Sequence, residues 1–320
     1  MENLRRLGNH ISIPIVPDAD RFTGRECPNP ECEGYFKVEF GTGLKEEDVP
    51  CHCPYCGYNA QHDKFWTKEQ IEYAKSIALK KITDAFHKDL KKLEFDYKPR
   101  GPLGIGLSMK VKLEQSIPIR NYREKKLETE VVCDNCTLRY AIYGVFAFCP
   151  DCGQHNSLQI LNKNLELVSK MLDMASKAEK ELAEHLVRNA LEDCVSSFDG
   201  FGRELCRVYA NKASVPYNAE KLSFQNIEKV KQILNVSFGI SLITALSEED
   251  WQIAVRGFQK RHLLSHKMGI VDDEYVQKTG DTQVVAGRKI YISTEEVKRL
   301  IEIVRKFSCY ISEELKKLSN

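Results

Sequence analysis

Three side chains that could act on a phosphodiester lie close together in residues 259–281, QKRHLLSHKMGIVDDEYVQKTGD. They are Arg261, His262 and His266. An imidazole has an unperturbed pKa of about 6.5, so it can accept or donate a proton near neutral pH. A guanidinium keeps its charge and can donate two parallel hydrogen bonds to phosphate oxygens. The segment therefore carries groups for proton transfer and for stabilising negative charge.

The helix that must carry these side chains is predicted by the pattern SEEDWQIAVRGFQKRHLLSHKMG. Its SEED start is a capping-box pattern, and Gly269 predicts that the helix ends just after His266. Five helical steps of about 100° place Arg261 and His266 roughly 140° apart around the axis, on different faces. His262 and His266 are four positions apart and share a face. They could bind one metal ion there, or be ordinary polar residues at a helix end, where cations suit the helix dipole.

The clearest metal-binding pattern is the pair of motifs CDNC and CPDC. Two residues between thiolates let one tight turn present both sulfurs to a single Zn²⁺ ion, often with a glycine following. The segment between the motifs, TLRYAIYGVFAF, is rich in aromatic and β-branched side chains, which predicts a strand pair. We therefore expect a zinc ribbon with the ligands Cys133, Cys136, Cys149 and Cys152.

An earlier cysteine-rich segment, with the motifs CPNPEC and CHCPYC, predicts a second ribbon. Cys51 and His52 compete there with Cys53 for a ligand position beside Cys56. We choose as ligands Cys27, Cys32, Cys53 and Cys56. Cys51 is then a spare thiol, and its replacement of Cys53 as a ligand is the open alternative. Four thiolates usually form a closed structural site, so we expect two structural Zn²⁺ ions per chain.

The composition limits the class of protein. Lys and Arg number 47 and Asp and Glu 46, so the net charge of +1 lacks the positive excess of a protein that coats nucleic acid. The apolar run AIYGVFAFC is far shorter than the roughly 20 residues of a membrane span. Nine of the 12 cysteines fall within the first 152 residues without an export signal, which favours metal binding over disulfides. We expect a cytoplasmic protein with no membrane contact.

The order of the elements predicts a multidomain α+β architecture. Zinc-ribbon β modules joined by a helix are followed by an all-α bundle, because helical periodicity begins at Leu161. The expected parts are ribbon module 1 at 1–62, an amphipathic connecting helix at 63–100, ribbon module 2 at 101–160, and the bundle at 161–320 with a small β-hairpin near 282–293. The connecting helix begins at Thr67 and ends at PRGPLGIG, and its lysines most simply form a solvated face.

The C-terminal half resembles the HEPN domains (higher eukaryote and prokaryote nucleotide-binding), which are all-helical. The resemblance covers about residues 161–320 and rests on Arg261, four further residues and His266, followed by GIVDDEY. In HEPN domains an Arg-x(4–6)-His motif marks metal-independent ribonucleases. A polar residue often follows the arginine, and His262 takes that place here where asparagine is more usual. Arg256 with His262 also satisfies the spacing, but this alternative lies further inside the helix.

The resemblance implies an endoribonuclease in which 2′-hydroxyl attack leaves 2′,3′-cyclic phosphate and 5′-hydroxyl ends. Arg261 and His266 are the expected catalytic residues, with His262 in a supporting role. The resemblance also implies a homodimer in which the motifs of both protomers meet in one cleft, and an acidic residue, Glu192 or Asp193, that orients the motif. HEPN ribonucleases commonly act as toxins or antiviral effectors. The expected partners are an RNA substrate and a protein trigger or antitoxin. The zinc ribbons are expected to recognise an RNA, a protein trigger or another subunit.

Two other functions stay open. In one, a non-catalytic protein dimerises through the bundle, and its zinc ribbons bind nucleic acid or a protein partner. In the other, a zinc-dependent hydrolase uses His262 and His266, although no HExxH pattern or nearby cysteine completes the set of ligands.

Overall fold

The computed structural model describes residues 1–46, 48–97, 107–112, 117–215 and 222–318. The chain divides into two compact units, residues 1–154 and residues 155–320. The sequence placed the start of the helical part at residue 161. The predicted linker PRGPLGIG, residues 99–106, lies outside the described ranges. None of the described helices combines the length and the apolarity needed to cross a membrane.

The N-terminal unit contains short strands and two α-helices among its described residues. The helices are α1 (Glu2–Arg6) and α2 (Lys68–Lys91). The strands are β1 (Thr23–Glu26), β2 (Tyr35–Val38), β3 (Cys51–His52), β4 (Asn59–Ala60), β5 (Phe95–Tyr97), β6 (Leu107–Met109), β7 (Thr129–Val132) and β8 (Arg139–Ile142). Strands β3 and β4 form one small antiparallel pair, and β5 and β6 form another.

The two predicted ribbon modules share one sheet. Its strand order is β1-β2-β8-β7, and every neighbouring pair is antiparallel. Strands β2 and β8 join the two cysteine-rich segments through the register Lys37↔Ala141 and Val38↔Tyr140. Phe36 and Tyr140 are fully buried in a core that also contains cysteines of both segments. The two modules are therefore parts of one folding unit.

The second ribbon differs from its prediction in one detail. The sequence predicted a strand pair between Cys136 and Cys149, but this segment contributes only β8, whose partner β7 precedes Cys133. Gly144, in a bend directly after β8, has a φ of +80°. A left-handed residue turns the chain out of strand geometry, so the second predicted strand does not form.

Helix α2 is the predicted connecting helix. Its start at Thr67 is confirmed, because the Thr67 hydroxyl accepts the Gln70 N–H and the Gln70 side chain accepts the Thr67 N–H. The apolar stripe of this helix is not fully packed against the rest of the unit. Ile71 and Phe86 are exposed, whereas Asp89 is buried and accepts hydrogen bonds from α1. Much of the apolar face of α2 is therefore exposed within this unit.

The C-terminal unit is helical, as its periodicity predicted. Its helices are α3 (Ser157–Ala175), α4 (Lys180–Val208), α5 (Ile227–Phe238), α6 (Glu248–Lys267), α7 (Asp273–Thr279) and α8 (Thr294–Lys317). Phe198 on α4 makes ring contacts with Phe224, with Phe258 on α6 and with Phe307 on α8. This aromatic core holds α6, which carries the candidate catalytic residues, against α4 and α8.

The β-hairpin predicted near residues 282–293 does not form. The whole range is described, and its ladder is limited to an isolated bridge between Ile270 and Lys289. The Ile290 N–H donates to the Gly269 carbonyl at 2.7 Å. Gly287, Arg288 and Ile290 thus form backbone hydrogen bonds with the segment that follows α6, and the two strands of a hairpin do not pair.

Glu204 on α4 links the stability of this unit to pH. Its carboxylate accepts hydrogen bonds from Arg207 at 2.9 Å and 2.6 Å and lies 3.3 Å from Nε2 of His155. Burial alone would raise the pKa of Glu204, but Arg207 and His155 outweigh it, and the pKa falls to about 2. A carboxyl with a lowered folded-state pKa stabilises the fold above its unfolded pKa, and this contribution is lost as pH falls towards the folded pKa.

We expect Glu204→Gln to lower the free energy of unfolding by up to about 3 kcal/mol at pH 7, and by roughly half as much at pH 3. Denaturant titrations followed by the helical circular dichroism signal measure both values. Glu228→Gln is the control, because its exposed pair with Lys231 is 3.6 Å long and should contribute little. An equal loss at both pH values in Glu204→Gln would show that the charge of this carboxyl is unimportant.

Candidate functional site

Both predicted groups of four cysteines are assembled. In each group the four sulfur atoms lie within 4.8 Å of one another. The first group is Cys27, Cys32, Cys53 and Cys56, and the second is Cys133, Cys136, Cys149 and Cys152. Sγ–Sγ distances are 3.7 Å for Cys27–Cys56, Cys32–Cys53 and Cys133–Cys152, and 3.4 Å for Cys136–Cys149.

These spacings fit a metal ion bound by four thiolates. Zn–S bonds of about 2.3 Å in a tetrahedron separate the sulfur atoms by about 3.8 Å. A disulfide would need an S–S distance of about 2.05 Å, and all eight cysteines are free. Each group can therefore hold one metal ion, with zinc compatible in both.

A shared backbone turn presents each pair of sulfurs. The residue after the second cysteine of each pair has a positive φ, at Glu33, Gly57, Thr137 and Gly153. In these turns the Gly57 N–H donates to the Cys53 carbonyl at 3.0 Å, and the Thr137 N–H to the Cys133 carbonyl at 2.9 Å. The sequence indicated this turn at the two glycines, whereas Glu33 and Thr137 adopt it without that signal.

Cys51 lies outside both groups. It belongs to β3, where it pairs with Ala60, and its side chain is fully buried. Burial raises the pKa of the Cys51 thiol to about 12, so it stays protonated. The structure therefore places Cys53, and not Cys51, in the first group.

Helix α6 ends one residue after His266. Met268 is left-handed, with a φ of +54°, and the Gly269 N–H donates to the Leu263 carbonyl at 2.9 Å. This closure satisfies a carbonyl of the last turn that has no partner within the helix. The predicted end of the helix is confirmed, and His266 lies exposed in its final turn.

His262 and His266 face each other on the exposed side of α6. Their ring centroids are 4.8 Å apart, with the ring planes tilted by 49°. Partial burial lowers the pKa of His262, and the adjacent His266 lowers it further, against the opposing effect of Glu274. The shift favours the neutral form of His262, in which an imidazole can accept a proton.

The histidine pair has no third metal ligand in the described part of the chain. Among the described residues, only the two tetra-cysteine groups bring three or more His, Cys, Asp or Glu side chains close enough to hold one metal ion. A stable zinc site generally needs at least three protein ligands. The geometry thus disfavours the zinc-hydrolase interpretation.

Arg261 is held by residues outside its own helix. Its guanidinium Nη1 donates to Gln225 Oε1 at 3.0 Å, and Gln225 Nε2 donates to Asp199 Oδ2 at 3.2 Å. Asp199 is buried on α4, and its other oxygen accepts the Phe224 N–H at 2.5 Å. Nε of Arg261 is buried and lacks a hydrogen-bond partner among the described residues. The guanidinium is thus oriented by one hydrogen bond and keeps further donors.

The sequence patterns predicted neither Asp199 nor Gln225 as part of the site. An aspartate between Phe198 and Phe201 was a usable signal, because a carboxylate within an apolar stretch is rarely buried without partners. Gln225 offered no comparable signal, since it lies in the irregular segment before α5.

The other candidate residues contact other parts of the helical unit. The Ser265 hydroxyl donates to Glu192 over a long 3.4 Å, which places Glu192 beside α6, on the face that Ser265 shares with Arg261 four residues earlier. Asp193 lines a cavity between α3 and α4. Arg256, the arginine of the alternative spacing, lines a separate cavity together with Lys260.

Comparisons of the chain with protein-family profiles, with curated proteins and with solved structures found no match.

The assignment of Cys53 over Cys51 can be tested by metal content. We expect Cys53→Ala to lose one of two bound metal ions, because three thiolates bind a structural ion far more weakly than four. Cys51→Ala is the matched variant and should keep both ions. Native mass spectrometry of the purified chain counts them. Loss of an ion from Cys51→Ala, with both retained in Cys53→Ala, would reverse the assignment.

Proposed function

We propose that the protein is a metal-independent endoribonuclease whose active site lies at the end of helix α6. The observation that carries this proposal is the exposed His262–His266 pair, with ring centroids 4.8 Å apart, on the helix where Gln225 anchors Arg261. Without a metal ion, RNA cleavage needs groups that transfer protons and a cation that stabilises the charged phosphorane. The likeness of the Arg261–His266 spacing to the HEPN motif supports the same function.

The proposed reaction uses the 2′-hydroxyl of the RNA as nucleophile. His266 accepts the proton of the 2′-hydroxyl as the 2′ oxygen attacks the adjacent phosphorus, and His262 supports His266 through the contact between their rings. The bond from phosphorus to the 5′ oxygen breaks, and the imidazolium of His266 returns the proton to that oxygen. Arg261 stabilises the negative charge of the phosphorane. The products are a 2′,3′-cyclic phosphate and a 5′-hydroxyl.

Arg261 and His266 can serve one phosphate most directly when two chains meet. On one ideal helix they lie roughly 140° apart. The Arg261 guanidinium also donates to Gln225, whereas the ring of His266 contacts the ring of His262. We therefore propose a homodimer through the helical unit, in which the histidines of one protomer and the arginine of its partner contact the same phosphodiester.

We further propose that both tetra-cysteine groups hold structural Zn²⁺. Zinc favours tetrahedral sites of four thiolates, and the sulfur spacings fit that geometry. A four-thiolate site is closed, since it has no open position for a substrate. The ions would fix the turns around the shared sheet, whose strands are only four residues long.

The N-terminal unit is proposed as the part that recognises RNA, a protein trigger or an antitoxin. Helix α2 exposes Ile71, Leu79 and Phe86, and a row of exposed apolar side chains favours contact with a partner. The same observation supports a second candidate, a non-catalytic protein that binds its partner through this unit. A role as a toxin or antiviral effector in the cytoplasm rests on the HEPN resemblance.

The ribonuclease proposal is tested by removing the imidazole of His266. We expect His266→Ala to reduce RNA cleavage by at least about 100-fold, because general acid–base groups commonly contribute that much. Arg261→Lys should also be impaired, since an ammonium cannot reproduce the planar guanidinium. Cleavage is measured in a mild chelator, with 2′,3′-cyclic phosphate ends identified by mass spectrometry.

His185→Ala, which removes an exposed histidine from α4, is the matched control and should cleave like the wild type. Undiminished cleavage by His266→Ala would refute the mechanism. Absence of cleavage by the wild type on a broad set of RNAs would favour the non-catalytic function.

The anchoring of Arg261 is tested by Gln225→Met, which keeps the length of the side chain but removes its acceptor. Because a hydrogen bond to a charged group contributes about 1.5–3 kcal/mol, we expect kcat/KM to fall on the order of tenfold or more. In an Arg261→Ala background the same change should have little further effect, since the two residues act as one unit. Gln252→Met, at an exposed glutamine of α6 that bonds Glu248, is the control. Additive losses in the double variant would show that Gln225 acts independently of Arg261.

A further inference from the structure

The two most exposed large apolar side chains among the described residues stand beside the candidate catalytic helix end. Met268 is 88% exposed and Tyr291 is 72% exposed. Met268 lies two residues after His266, so their Cα atoms are at most about 7.6 Å apart. The Ile290 N–H donates to the Gly269 carbonyl at 2.7 Å. Met268 and Tyr291 are each the next residue beyond that bond, so both emerge at the same end of the short ladder.

The backbone that carries Tyr291 is fixed. Ile290 and Ile292 are buried, so Tyr291 faces outward in an alternating extended segment. The buried Nζ of Lys260, on α6, donates to the Tyr291 carbonyl at 3.0 Å and to Glu296 at 2.6 Å. This bond ties the tyrosine segment to the helix that carries Arg261. A ring held outward on ordered backbone contributes little to the core, but it is preorganised for a ligand.

Positively charged residues are close neighbours of Met268 and Tyr291 in the sequence. Arg288 and Lys289 precede Tyr291 and are exposed, and neither forms an ion pair with another residue that the structure describes. Lys267 precedes Met268, and its pair with Asp272 is 3.9 Å long between partly exposed groups. Such a surface pair contributes little, so Lys267 can turn to another anion. Exposed aromatic rings flanked by Lys and Arg are the chemistry of single-stranded nucleic-acid sites.

We propose that Tyr291 stacks on an unpaired RNA base next to the scissile phosphodiester. Met268 packs against the same base, while Lys267, Arg288 and Lys289 contact flanking phosphates. This inference rests on the proposed ribonuclease function and names its substrate class, single-stranded RNA. A base within a duplex is already stacked on both faces and cannot offer one to a tyrosine, whereas a base in a loop or an unpaired strand can.

The test measures binding of the full-length protein to RNA that cannot be cut. A fluorescent single-stranded oligonucleotide with 2′-O-methyl groups at every position lacks the attacking hydroxyl, so fluorescence anisotropy reports affinity alone. We expect Tyr291→Ala to weaken binding about tenfold, because base–aromatic stacking contributes roughly that much. Tyr291→Phe keeps the ring and should bind like the wild type. Val236→Ala removes a side chain that is 71% exposed on α5, and as the matched control it should change nothing.

Several outcomes would overturn this inference. Equal single-strand affinity of Tyr291→Ala and the wild type would exclude stacking. An equal loss in Tyr291→Phe would show that the hydroxyl, and not the ring, binds the RNA. If sedimentation shows that Tyr291→Ala dissociates a dimer without changing RNA affinity, the surface is an interface between copies of the chain.

Failure of the stacking site is distinguishable from failure of the ribonuclease proposal. A wild type that binds the 2′-O-methyl strand through Tyr291 but cuts no unmodified RNA supports the binding site and refutes the enzyme. A wild type that cuts RNA with a KM unaffected by Tyr291→Ala refutes the binding site and supports the enzyme. A wild type that neither binds nor cuts single-stranded RNA overturns both.

Discussion

Helix α6 cannot continue beyond Lys267, and the candidate site depends on this limit. The left-handed Met268 and the Gly269 N–H bond to Leu263 close the helix and turn the chain away from its axis. The residues that follow can then accept and donate the backbone hydrogen bonds of the segment before α8. A longer helix would keep its own N–H and carbonyl groups bonded internally and remove that pairing. The same turn leaves His266 exposed and lets the chain after it pair with the segment that carries Tyr291.

The N-terminal unit is subject to a different constraint, the convergence of eight sulfur atoms on two points. Its main sheet has strands of four residues, and strands this short pair weakly without other support. Strands β2 and β8 come from different cysteine-rich segments but pair directly. A metal ion that orders the turns of one segment therefore also supports a strand of the other, and the two sites are energetically linked through the sheet.

The sequence predicted best what short-range chemistry determines. Ligand spacing identified the cysteine groups, including Cys53 beside the unused Cys51, because a tight turn can present only certain pairs of sulfurs. The cap of α2 at Thr67 and the end of α6 shortly before Gly269 are similarly local. Such local patterns could not predict hydrogen-bond partners that are distant in the sequence. β propensity near residue 290 was real, but nothing local showed that Gly269 would be its partner, and Asp199 and Gln225 meet only through the packing of α4.

The separation of Arg261 from the histidines has a consequence for how the proposed site would work. Within one chain, Gln225, itself held by Asp199, orients the guanidinium, while the histidine pair lies on another face of the helix. His266, Met268 and Tyr291, in contrast, belong to one end of α6 and its short ladder. One protomer would thus hold the strand by its base and supply proton transfer, and its partner would supply the cation. A monomer with this division could bind single-stranded RNA without stabilising the phosphorane, so cleavage would depend on assembly more steeply than binding does.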